Sequence, residues 1–209
     1  MKTYGVFLSV LLALACLTAC GGRSPQPKYY LLGKEQASAA PLQGDGPTVV
    51  LRRVSLPPYL DRDALVLRPS GAVQISVAEY HVWAEPLGKA VPRLLEETMR
   101  PPLQEKGLNL LWTDAADAAL QVDVVFLRLD GAPGSDAAID ARWRISGREG
   151  ALLAQGAYAR KTDAGDSHES MVRAQSRLLA DFGRELAQAA DGAHGSLAAQ
   201  SRKGRGKKP

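Results

Sequence analysis

Cysteine is nearly absent from this chain: two of 209 residues, Cys16 and Cys20, both within the first twenty. That excludes a disulfide-stapled fold, a zinc site built on paired cysteines, and thiol chemistry anywhere in the body of the protein. Histidine is also scarce, with His81, His168 and His194 scattered along the sequence. No apolar run reaches the ~20 residues that a spanning helix needs. The nucleophile elbow, phosphate loop, dinucleotide fingerprint and His-Glu-x-x-His helix are all missing. His168-Glu169 and Asp61-Arg62-Asp63 are better explained as solvated charge at a helix start and a loop end than as acid–base pairs. No constellation points to catalysis, so the expectation is a protein that is not an enzyme and uses no cofactor or metal.

Excess charge is missing too, once it is located. The formal net charge is +4, but Arg202, Lys203, Arg205, Lys207 and Lys208 sit in the last eight residues with no acid among them; without those five the remainder carries −1. A near-neutral body has no electrostatic footprint for nucleic acid. Residues 193–209 are expected to form a disordered basic tail after Asp191-Gly192-Ala193-His194-Gly195-Ser196. Its alternatives are a solvated tail without partner and weak attraction to anionic headgroups.

What is present begins at Met1. One Lys precedes the apolar segment Gly5–Ala15, short enough for a secretory signal, and the segment ends on Leu17-Thr18-Ala19-Cys20. This closing tetrapeptide resembles the lipobox of bacterial lipoproteins, which implies cleavage after Ala19 and acylation of the Cys20 thiol and its new amino group. Cys16 leaves with residues 1–19, so the mature chain keeps no free thiol. Two or more acyl chains make a firm anchor. By resemblance to lipoproteins of enteric-type bacteria, Gly21 in place of Asp implies the outer membrane, facing the periplasm. Residues 20–27 read as a tether, whose Gly21–Pro27 portion reaches about 25 Å at full extension.

The body, residues 28–192, is long enough for one domain with a proper core. Lys28–Gly33 and Thr48–Val54 suit strands, separated by an Ala-, Pro- and Gly-rich loop at 36–47. Leu65–Arg68 and Val73–Val77 suit a hairpin through Pro69-Ser70-Gly71-Ala72. From Trp83 to Met99 the spacing turns helical, gathering Leu87, Val91, Leu94, Leu95, Thr98 and Met99 on one face. Pro92 predicts a kink or restart, and Pro101-Pro102 a stop. Leu108–Trp112 suits another strand. Residues 120–126, 139–145 and 151–160 form a meander with one wet face. A closing helix from His168 to Ala190 carries Met171, Ala174, Leu178, Phe182, Leu186 and Ala189 on one stripe. Together these predict an α+β fold: a largely antiparallel or mixed sheet with two amphipathic helices packed on it.

Four segments occur in order: the lipobox, Tyr29-Tyr30-Leu31-Leu32, Leu56-Pro57-Pro58-Tyr59-Leu60-Asp61-Arg62, and Trp83-Ala84-Glu85-Pro86-Leu87. As a set they resemble the auxiliary lipoproteins of ABC-type transport systems, over roughly Lys28 to Ala190. The resemblance implies an accessory of a system built on an MCE-domain protein, carrying phospholipid between the inner and outer membranes. An MCE-domain partner, an outer-membrane anchor and a homo-oligomer are the expected associations. Pro57, Tyr59, Leu60, Asp61 and Arg62, with Trp83, Glu85 and Pro86, match the family pattern. Two roles stay open for them: shaping a bend and filling the core, or touching a partner or neighbouring copy. A rival function is a structural envelope lipoprotein that binds peptidoglycan or an outer-membrane assembly machine.

Overall fold

The computed structural model describes residues 25–33, 46–113 and 118–205. The signal segment, Cys20, the start of the tether, most of the 36–47 loop and the last four residues lie outside that set. The elements run β1 (Lys28–Tyr30), β2 (Thr48–Ser55), β3 (Ala64–Leu67), β4 (Ser76–Trp83), α1 (Leu87–Glu105), β5 (Asn109–Leu111), β6 (Leu120–Gly131), β7 (Asp136–Ser146), β8 (Leu152–Asp163) and α2 (His168–Arg205). The expected α+β architecture is what forms: one mixed sheet of eight strands with both helices packed on it.

The long strand β6 is the axis of the sheet. On one side it pairs antiparallel with β7, and β7 with β8, as the wet-faced meander predicts. Its other neighbours are β2 along its first half and β3 at Gly131, both parallel. β2 continues to β5, while β3 continues through β4 to β1. Leu120, Val122, Val124 and Phe126 of β6 and Ile139, Ala141 and Ile145 of β7 are all buried in the core. The β3–β4 hairpin turns as expected, with the Ala72 amide donating to the Pro69 carbonyl and Gly71 at φ +77°. β4, however, begins at Ser76 rather than Val73, which is 95% exposed, and runs on to Trp83.

The α1 stripe is buried as its spacing predicts, from Leu87 to Met99. The predicted stop at Pro101-Pro102 is overturned, since α1 continues through both to Glu105 without a restart at Pro92. Each proline removes an amide donor, but the fully buried Leu103 in the final turn offsets part of that with ~2 kcal/mol of side-chain burial. α2 starts on a reciprocal cap, the Ser170 amide donating to Ser167 Oγ and the Ser167 amide to Ser170 Oγ, each at 3.0 Å.

The expected disordered tail from residue 193 is also corrected. α2 runs past Ala190 to Arg205. Leu186, Ala190, Ala193 and Leu197 prolong the apolar stripe; Ala193 is buried, and Leu197 packs against the core close to Gly147. Gly192 and Gly195 lower helix propensity by only ~1 kcal/mol each, less than that packing returns.

The two helices meet where Gly183 lies against Thr98. A Cβ on Gly183 would stand 2.0 Å from Thr98 Oγ1 and 3.0 Å from its Cβ. Thr98 Oγ1 is itself held by the Leu94 and Leu95 carbonyls. Gly183→Ala should therefore overpack the contact and lower stability by ~1–3 kcal/mol, read by urea denaturation. The loss should shrink in a Thr98→Ala background; equal losses in both backgrounds would contradict this contact.

Candidate functional site

The motif residues divide among three places. Leu60 is buried in the core and Trp83 nearly so, its amide donating to the Asp63 carbonyl at 2.7 Å. Pro57 precedes the short 3-10 turn Pro58–Leu60 and sets its extended start at φ −64°. Tyr59 turns inward across the sheet, and its hydroxyl donates to Asp130 Oδ2 at 2.7 Å. Asp130 is fully buried and also takes Arg128 Nε at 2.6 Å, with Arg68 3.8 Å away. Burial and the Asp130 carboxylate push the Tyr59 phenol well above its ordinary range, so it stays a donor at any working pH.

Asp61 and Arg62 remain exposed, and with Asp63, Pro86 and Leu87 they line a small recess of ≈ 380 Å³. Two segments about 25 residues apart in sequence thus converge at one end of the sheet. Glu85 faces the other way. It pairs with Arg93 of α1, which also binds Glu97 at 2.9 Å and the Leu32 carbonyl at 2.8 Å. This clamp ties the end of β4, helix α1 and the chain after β1 into one corner.

Beside that corner lies a groove of ≈ 1280 Å³ between β1 and α2. Leu32, Val172 and Ala180 line it as buried apolar groups, while Tyr29 and Leu31 stand exposed. Three ion pairs also line it: Arg93–Glu85, Arg173–Glu169 and Arg184–Asp181. Lys28 and Arg177 also line it and have no acidic partner among the described residues. Of α2's polar face the sequence reading names only His168-Glu169 at its start; the further signal available is Arg173, Arg177 and Arg184 spaced four and seven apart, which keeps them on one helix face.

Next to the groove, two histidines that look scattered in sequence come together. His81 of β4 and His168, the first residue of α2, stack with centroids 3.7 Å apart, and Tyr30 Oη lies 2.7 Å from His81 Nδ1. Burial lowers the His168 imidazole below its ordinary 6.5, and the nearby His81 and Lys28 lower it further. The unfolded chain therefore takes up this proton first as pH falls. Stability should decline as pH drops through ~6.5 and level off below the folded-state value. Melting at pH 7.5 and 5.5 should show that decline, and His168→Gln should flatten it; an unchanged slope would contradict the assignment.

The face of the sheet away from the helices carries a second network. Asp123 accepts Arg52 Nε at 2.9 Å and Arg144 at 3.0 Å, joining β2, β6 and β7. Burial raises the Asp123 carboxyl, but the two guanidinium groups outweigh it and hold the carboxyl below its usual range. Among the described residues, no group of three or more His, Cys, Asp or Glu is placed to hold a metal ion.

The fold has solved counterparts. One is the crystal structure of an uncharacterized protein, 19% identical, with a TM-score of 0.64 over 79% of this chain and 99% of the other. A second is a Xanthomonas campestris protein of the family DUF330, 14% identical, with a TM-score of 0.60 over 83% and 99% of the two chains. At such identities the likeness concerns the fold alone. Among curated protein sequences none matches this chain. The sequence model of one family, described as the ABC-type transport auxiliary lipoprotein component, matches residues 30–187. That span runs from the end of β1 to the middle of α2 and takes in the recess, the α2 wall of the groove and both later motif segments, and so this chain belongs to the family of ABC-type transport auxiliary lipoproteins.

Proposed function

We propose that the protein is a non-catalytic accessory of an MCE-type ABC system that moves phospholipid between the two membranes. Acyl chains on Cys20 hold it at the outer membrane, where it faces the periplasm and receives or braces the distal end of an MCE-domain conduit, alone or as a homo-oligomer. The observation that carries this proposal is the family match across residues 30–187. The disposition of the motif residues supports a docking role. Pro57, Tyr59, Leu60 and Trp83 build the corner of the fold, and Glu85 clamps it. Asp61 and Arg62 are left exposed at its recess, available to a partner.

The test is a deletion complemented in trans. Loss of the gene should raise outer-membrane permeability to detergent and hydrophobic antibiotics, and the intact chain should restore the barrier. Charge reversal of both Asp61 and Arg62 should restore it poorly while leaving protein levels unchanged. If the deletion leaves the barrier intact and murein sacculi retain the protein, the transport role fails and a peptidoglycan-binding one takes its place.

A further inference from the structure

The groove between β1 and α2 has a composition that its structural duties do not explain. Among its lining residues each of three acids is paired with an arginine, which leaves Lys28 and Arg177 as a net charge of +2 on the lining. Below them, Leu32, Val172 and Ala180 are only 1%, 5% and 8% exposed and form an apolar floor. At the rim, Tyr29 of β1 is 69% exposed and Leu31, just after the strand, is 61% exposed. Two cations without an acidic partner among the described residues, above an apolar floor, suit an amphiphile with an anionic head. A volume of ≈ 1280 Å³ exceeds the ~300–1,000 Å³ of ordinary small-molecule pockets and has room for an acyl chain.

Chain length indicates where such a ligand comes from. β1 begins eight residues after Cys20, so an acylated Cys20 keeps this rim within about 25–30 Å of a bilayer. Exposed Tyr and Leu beside basic residues are the side chains that settle at a headgroup boundary.

We infer that this groove binds an anionic phospholipid, with its phosphate held by Lys28 and Arg177 and its upper acyl chain laid against the exposed Tyr29 and Leu31 at the rim. The inference deepens the transport proposal by naming a ligand class and a place, and it rests on that proposal for the nearness of the membrane.

The experiment uses the full-length chain in living cells labelled with ³²P-phosphate. A benzoylphenylalanine replaces Leu31 at the rim or, as a control, the exposed Gln155 on the opposite sheet face, and the cells are irradiated before purification. The lipid moiety of a lipoprotein carries no phosphate, so ³²P on the polypeptide reports a separate phospholipid. Label is expected at position 31 and not at 155. Lys28→Glu with Arg177→Glu should cut it at least about fivefold with fractionation and protease resistance unchanged, because neither side chain supports the fold. Equal label at the two positions, no label, a protein adduct instead of lipid, or a yield indifferent to charge reversal would overturn the inference. Palmitate labelling of Cys20 and recovery of an MCE partner are read separately from the same cells. A failed groove is thereby told apart from a failed anchor or a failed transport role.

Discussion

Cys20→Ser should release the protein from the membrane pellet and abolish its labelling by radioactive palmitate, while Cys16→Ser should change neither. The contrast follows from the positions of the two thiols. Under the proposed cleavage after Ala19, Cys16 would leave with residues 1–19, whereas Cys20, which closes Leu17-Thr18-Ala19-Cys20, would be the one thiol left to acylate. Each buried methylene contributes ~0.8 kcal/mol, so two or three acyl chains bind far more firmly than one. No helix among the described residues is long and apolar enough to cross a membrane and replace that anchor. Serine keeps the size of the side chain and removes the nucleophile that takes the lipid. Palmitate on the serine variant, with unchanged pelleting, would mean that attachment does not depend on Cys20.

The second large effect lies in the body of the domain. Asp130→Ala should lower stability by ~3–5 kcal/mol, the usual cost of removing one partner from a buried ion pair, and depress the melting midpoint by ~6–20 °C for a domain of this size. Asp130 is fully buried and is the shared acceptor of Tyr59 and Arg128. Its loss strands a hydroxyl and a guanidinium together. Tyr59→Phe removes one hydrogen bond and leaves the Asp130–Arg128 pair intact, so ~1 kcal/mol is expected. This pair of variants separates the two roles left open for Tyr59. A stability loss from Tyr59→Phe with normal complementation marks a structural residue. Defective complementation at unchanged stability would mark a contact residue.

The parts of the fold that were legible in sequence are those governed by local periodicity. β6 and β7 alternate because one face meets the core and the other carries polar residues, some of them buried like Gln121 and Asp123, and α1 gathers its apolar residues because one side meets the core. The segments that misled did so where long-range packing overrides a local signal. Pro101 and Pro102 read as a stop, yet Leu103 needs one more turn to reach the core. Gly192 and Gly195 read as a linker, yet Ala193 and Leu197 continue the buried stripe.

The candidate site was legible only as a set of segments. Tyr59 and Asp130 lie 71 residues apart, and His81 and His168 meet only when the parallel β1–β4 pair brings them to the start of α2. No periodicity encodes such contacts, because they depend on strand order. The groove was invisible for the same reason: its walls are β1 and a helix more than 130 residues later.

The decisive measurement is recovery of partners from living cells. A tagged full-length chain, crosslinked in the periplasm and purified under denaturing conditions, should bring down an MCE-domain protein in the wild type. Much less should be recovered when Asp61 and Arg62 are both charge-reversed. Crosslinked material that contains no MCE-domain protein, from cells that express one, would contradict the proposed role.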